Sequence, residues 1–282
     1  MKLLMFERDG RPCLGLWKDE GIVDLSLIPG APQTMEEAMG LDALGVIEKL
    51  AEGQSTLAPQ SVRFLTPVAR PEKILCIGLN YKPHIEEFEK SSGLPPYPVI
   101  FGKFNNALTP HNGPVRLCSA SSMHDYEAEI AVVIGKECRN VPEEKALSYV
   151  FGYTLANDIT ARDLQSRTGQ WTQGKGSDTF CPLGPCILTA DSVSYDAMTL
   201  EGYKNGELRQ KAQSSEMIFP IPFLVSYISK IMTLRPGDLI LTGTPSGVIS
   251  GRPEGKRDWL KKGDRVSVYV GQIGCLENTV EE

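Results

Sequence analysis

Residues 125–135 read Asp-Tyr-Glu-Ala-Glu-Ile-Ala-Val-Val-Ile-Gly, an apolar strand pattern headed by acids at alternate positions. Alternation in a strand puts Asp125, Glu127 and Glu129 on one face, with neighbouring Glu Cα atoms roughly 6.5 Å apart. Carboxylates at that spacing repel by about 2.5 kcal/mol at an effective dielectric of about 20, and the apolar run 130–134 implies a desolvation cost as well. Any fold for this chain has to bring positive charge to that point. A hard divalent cation with oxygen ligands, Mg²⁺, Mn²⁺ or Ca²⁺, answers the need; a solvated edge meeting Lys and Arg answers it equally well at this stage.

A chain of 282 residues is long enough for a large core, or for a main domain with a small appendage. A formal charge of −6 without a basic stripe disfavours nucleic acid as a partner. No apolar run approaches the ~20 residues of a membrane span, and Glu7 interrupts the N-terminus before a signal core can form. Seven scattered cysteines, whose closest pair is Cys181 and Cys186, suit reduced thiols in a cytoplasmic compartment better than a zinc site.

Residues 1–70 read as a small α+β unit: strands at 2–6, 13–17 and 22–25, a helix over 36–51 capped by Thr34, and a strand at 62–65. Residues 71–282 are β-rich, with strands at 74–79, 99–103, 126–135, 151–158, 239–242, 266–270 and 276–280. Asn205-Gly206 marks a hairpin between 200–203 and 208–212. Helices are expected at 83–90, 142–150 and 222–232. Parallel β-α-β alternation is missing, which favours an α+β class built as a mixed-sheet sandwich or roll.

Several segments carry chemistry-bearing residues. His84 and Glu87, three apart, share a helix face, so the carboxylate can orient the imidazole as a base; a surface pair is the alternative. Asp158 leaves an apolar strand and offers a third oxygen ligand, or an N-cap. Gly169–Lys175 has phosphate-loop spacing, but Gly176 stands where Ser or Thr would hold Mg²⁺ and no apolar strand leads into it. Lys175 is then either an anion partner or an exposed loop lysine. Thr242-Gly-Thr-Pro-Ser-Gly247 follows an apolar strand and can bring N–H groups to a ligand, or simply turn. His111, in Pro-His-Asn-Gly, reads as an exposed turn, and His124 as background. The stretch 249–258, rich in Gly, Arg and Lys, either reaches a substrate's distal end or is solvated.

Taken together, these motifs resemble the fumarylacetoacetate hydrolase superfamily, specifically its acylpyruvate and diketo-acid hydrolase branch. The matching stretches, in family order, are Ile77-Gly-Leu-Asn-Tyr81 with His84, the acidic strand, Asn157-Asp-Ile-Thr-Ala-Arg-Asp163, Lys175 with Asp178-Thr-Phe-Cys-Pro-Leu-Gly-Pro185, Asn205-Gly206 and Thr242–Val248. The resemblance implies a mixed β-sandwich roll behind a small variable N-terminal domain, a homodimer, and Mg²⁺ or Mn²⁺ (Ca²⁺ in a crystal) held by Glu127, Glu129 and Asp158. It implies His84, Glu87 and Lys175 as catalytic groups, with Arg162, Gln165, Thr244 and Tyr81 as contacts for a small 2-oxo acid. The sequence departs from the family pattern at Pro83, before the lid histidine, and at Ser177, two residues after the lysine.

The implied reaction is hydrolytic C–C cleavage of a 2,4-dioxo acid to pyruvate and a carboxylic acid. Decarboxylation of an oxaloacetate-type acid, or isomerisation or hydration on the same metal-enolate site, is the alternative. A metal-binding scaffold without turnover is disfavoured, because the ligand set, lysine and dyad occur together.

Overall fold

In the computed structural model, which describes residues 1–40, 43–88 and 93–282, the acidic strand Ala128–Ile134 lies deep inside a mixed sheet, with all seven of its residues buried. Its neighbours are Val150–Asn157 on one side and Leu239–Leu241 on the other. Beyond these, the sheet continues through Ile74–Gly78 to Val99–Lys103 at one end, and through Cys181–Thr189, Lys2–Arg8 and Arg11–Lys18 to Gly21–Asp24 at the other. Most pairings are antiparallel, but Leu239–Leu241 runs parallel to Ile74–Gly78, so the sheet is mixed, as the missing β-α-β alternation predicts.

A second sheet of five strands packs over one face: Glu207–Gln213, Thr199–Lys204, Arg265–Val270, Gly274–Glu281 and Pro114–Arg116. The period of two sorts the acidic strand between these layers. Ile130, Val132 and Ile134 enter a core with Leu200, Val268, Val270 and Leu276 of the second sheet. Ala131 and Val133 face the opposite core with Leu183, Ile187 and Leu241. Each fully buried Ile or Val is worth roughly 1.5–3 kcal/mol, which locks the strand's register and fixes the face on which its acids emerge. Asn205 and Gly206 both take positive φ, 52° and 79°, as the tight hairpin between Thr199–Lys204 and Glu207–Gln213 requires.

The strands of residues 1–70 extend the large sheet, because Lys2–Arg8 pairs with Cys181–Thr189. The expected helix over 36–51 is two: Met35–Ala38, capped by Thr34, and Ala43–Leu50. Residues 41 and 42, which that expectation crosses, lie outside the described residues, as do residues 89 and 90 of the helix expected at 83–90. The helix expected at 142–150 is a 3-10 helix, Glu143–Tyr149. No described helix is long and apolar enough to cross a membrane.

Candidate active site

Strand ends and loop starts on one face of the large sheet converge on a cavity of about 450 Å³. Glu129 belongs to the acidic strand itself, and Glu127 immediately precedes it. The Glu127 N–H donates to Asn157 Oδ1 at 2.9 Å, and the Asp158 N–H donates to the Glu127 carbonyl at 2.9 Å. Two adjacent strand ends are thereby clamped so that their acids meet. One ligand oxygen from each of Glu127, Glu129 and Asp158 lies within 4.8 Å of the others, and all three residues are buried.

The compensating cations come from three other segments. Lys175, 1% exposed at the end of the short helix Thr172–Lys175, places Nζ 2.8 Å from both Glu127 and Asp158 and 5.0 Å from the centre of the Phe101 ring. Lys175 is therefore buried against protein carboxylates and is not an exposed loop lysine. Lys103 ends the edge strand Val99–Lys103 and donates to Asp158 Oδ1 at 2.5 Å. Arg162 is 2.7 Å from Glu127 and 2.9 Å from Asp125. Burial acts to lower the Lys175 pKa, but Asp158 and Glu127 outweigh it and hold the ammonium charged. Burial likewise opposes ionisation of Glu127, yet Lys175, Arg162 and His84 bring its pKa down to about 2.

Glu129 is different. Its described bond is from the Gly243 N–H at 2.7 Å, and among the described residues no cation pairs with it. Burial, then Asp158 and Glu127, push its pKa well above the carboxylate range. An all-oxygen cluster with one uncompensated carboxylate fits a hard divalent cation, which would supply the positive charge that Glu129 lacks.

Asp125 is fully buried but turned to another task. It accepts Arg162 Nε and the N–H groups of Tyr126, Ile249 and Ser250, so it fixes both the arginine and the loop beside the cavity. On the short helix Lys82–Glu86, where Pro83 is accommodated in the first turn, His84 lines the cavity with Nδ1 3.1 Å from Glu87 Oε2. The other Glu87 oxygen accepts the Gly247 N–H at 2.6 Å. Gly247 has φ of 108°, and a Cβ there would run into the Arg209 carbonyl, so the loop that anchors Glu87 depends on glycine.

Arg162, Gln165 and Thr244 also line the cavity. The Thr244 hydroxyl is already engaged: it donates to the Ala128 carbonyl at 3.0 Å and accepts from Gln210 Nε2 at 2.8 Å. Tyr81 is not brought to the cavity. It is fully buried in the core, and its hydroxyl has no partner among the described residues. The expectation that His111 is exposed is also corrected: it is half-buried, edge-on to Phe64, and accepts the Glu277 N–H at 3.0 Å.

Lys103 and the clamp residues Asn157 and Gln210 escaped the sequence reading. Lys103 closes the apolar strand Val-Ile-Phe-Gly much as Asp158 closes its own, but a lysine there can equally carry its head into water.

The family model for the fumarylacetoacetate (FAA) hydrolase C-terminal region matches residues 73–281. The chain belongs to the fumarylacetoacetate hydrolase family. It is 39% identical over 266 residues to the mitochondrial oxaloacetate tautomerase Fahd2a of Rattus norvegicus, covering 92% of this chain and 84% of that protein. Among solved structures it resembles a fumarylacetoacetate hydrolase from Exiguobacterium antarcticum, with TM-score 0.86, 34% identity and coverage of 100% and 99%. It also resembles maleylpyruvate hydrolase from Sphingobium in complex with manganese(II) and pyruvate, with TM-score 0.81, 30% identity and coverage of 99% and 98%. The chain is therefore an enzyme of this family with a carboxylate metal site.

Proposed function

We propose that the chain is a metal-dependent keto–enol tautomerase of oxaloacetate-type 2-oxo acids. The observation that carries this reading is that His84, paired with Glu87, lines the same cavity as Lys175 and Glu127, the member of the carboxylate cluster that reaches it, in a chain so similar over most of its length to an oxaloacetate tautomerase.

Tautomerisation moves one proton: the enol gives up the hydrogen on O2, and C3 gains one. No water is consumed and no C–C bond breaks. Glu87 engages His84 at Nδ1, which leaves Nε2 as the ring nitrogen to exchange that proton. Lys175 and Arg162, both held charged, offset negative charge developing on the substrate oxygens. Phe88, Phe101, Trp171 and Trp259 line the cavity with apolar surface, which lowers the local dielectric and strengthens those interactions. A divalent cation held by Glu127, Glu129 and Asp158 would supply Lewis-acid polarisation of the 2-oxo group.

Hydrolysis of an acylpyruvate is the second reading. It is favoured by the anchoring of Glu87 on Gly247, which builds a dyad suited to drawing a proton from water attacking C4.

One experiment separates the readings. Protein loaded with Mn²⁺ or Mg²⁺ is given freshly enolised oxaloacetate, with loss of enol absorbance and release of CO₂ followed together, and acetylpyruvate, with pyruvate release followed. Accelerated enol decay without CO₂, lost in His84→Ala, is expected. Pyruvate release without enol acceleration would put the hydrolase in its place, and CO₂ release would put a decarboxylase there.

A further inference from the structure

Among the described residues three cations line the cavity: Arg162, Lys175 and Arg257. The first two are committed to Asp125, Glu127 and Asp158. Arg257 is not. Its described bond is from Nε to the Arg252 carbonyl at 2.9 Å, and among the described residues it pairs with no carboxylate. The adjacent Asp258 is taken by Lys204, Arg209 and Arg252. Of the acids on the wall, Glu127 is paired with Arg162 and Lys175, and Asp163 is taken by the Ser121 hydroxyl and the Leu164 N–H.

The loop that carries Arg257 also contributes Ser250 to the wall. Ser250 Oγ is enclosed by protein and has no partner among the described residues. Ser250 is fixed through its N–H, which donates to Asp125 at 2.9 Å. The Arg252 N–H closes a turn on the Ile249 carbonyl at 3.1 Å, and Arg257 bonds back to Arg252, so Ser250 and Arg257 ride on one stitched loop. Arg257 is exposed, at the mouth of the cavity, whereas Glu127, the member of the carboxylate cluster that lines it, is buried. A cation in excess at the mouth and a 2-oxo-acid head group at the floor describe a ligand charged at both ends.

We propose that Arg257 forms a subsite for the second carboxylate of a dicarboxylic 2-oxo acid and sets the preference for dicarboxylates over monocarboxylates. With Nε held by the Arg252 carbonyl, the two terminal nitrogens of the planar guanidinium have no partner among the described residues and match a carboxylate with two parallel hydrogen bonds. The proposal rests on the 2-oxo-acid reading above and names the substrate class of that site.

Calorimetric titration of the full Mn²⁺-loaded chain with oxaloacetate and with pyruvate tests it without relying on turnover. Wild type is expected to favour oxaloacetate, and Arg257→Ala to shrink the ratio of the two affinities by about tenfold or more, the scale of one charge-assisted bond pair. Arg257→Lys should retain part of the ratio and Arg257→Glu should abolish it, with melting temperatures showing that each variant is folded. A ratio unchanged in Arg257→Ala and Arg257→Glu, or a wild type indifferent between the two ligands, overturns the subsite. An Arg257-dependent preference without enol turnover would sink the tautomerase reading and leave the subsite standing; turnover with no Arg257 effect would do the reverse.

Discussion

Replacing Glu129 by Gln removes the cluster carboxylate that pairs with no cation among the described residues, while keeping a side-chain oxygen for the Gly243 N–H. Unit charges at the 4.8 Å that bounds the three ligand oxygens repel by about 3.5 kcal/mol per pair at an effective dielectric of about 20. Glu129 faces two such neighbours, Glu127 and Asp158, and Lys175 offsets part of the repulsion. The carboxyl can instead take a proton, which at pH 7 costs a group of ordinary pKa about 3.7 kcal/mol. The smaller of these costs caps what Gln relieves, and with relaxation of the site we expect roughly half, ~2 kcal/mol. Unfolding entropy for a chain this long is ~0.6 kcal/mol/K, so the variant should melt ~3 °C above wild type in EDTA. Metal works the other way. At free Mn²⁺ of about 100 times Kd, wild type gains ~2.7 kcal/mol, or ~4–5 °C, which Glu129→Gln should largely lose. Thermal melts of both proteins in EDTA and across a Mn²⁺ titration should therefore cross. A variant that melts below wild type in EDTA, or keeps the full Mn²⁺ increment, refutes the account of Glu129 as an uncompensated ligand.

Asp125→Ala removes one of the two carboxylates that hold the buried Arg162, leaving it Glu127 alone, and takes the acceptor from the N–H groups of Tyr126, Ile249 and Ser250. It should cost about 3–5 kcal/mol in urea unfolding and raise KM; a loss under 1 kcal/mol would show that the network is dispensable. Burial holds the His111 pKa below its ordinary value, and Nδ1 must stay unprotonated to accept the Glu277 N–H. Below about pH 6.5 the unfolded chain takes a proton that the folded chain refuses, so stability is full above that pH and falls as pH drops. His111→Gln, which keeps an acceptor but does not titrate, should flatten the melting-temperature curve between pH 7 and 5, and parallel curves for the two proteins would reject this role.

The residues legible in the sequence are those whose charge conflicts with their immediate neighbours. Glu127 and Glu129 head an apolar run and Asp158 closes one, so desolvation can be inferred without knowing any partner. What that inference could not supply is who answers the charge. Lys103 meets Asp158 from 55 residues away, and Asp125 holds N–H groups 124 and 125 residues on. Lys103 is indistinguishable locally from a lysine ending a strand with its head in water. The same limit explains Thr244 and Tyr81. Both sit in motifs that border the site, but the hydroxyl of one clamps Ala128 and Gln210 while the other packs into the core, outcomes decided by the facing sheet and not by the motif. It also explains why residues 1–70 read as a separate unit: alternation tells a strand which face to bury but not which strand to pair with, and Lys2–Arg8 finds its edge on Cys181–Thr189. A strand with acids at its head cannot be buried alone, so Lys103, Arg162 and Lys175 have to arrive with it. The requirement visible in residues 125–135 is met only when the large sheet and the loops at its strand ends are assembled, which couples formation of the charge cluster to formation of the fold.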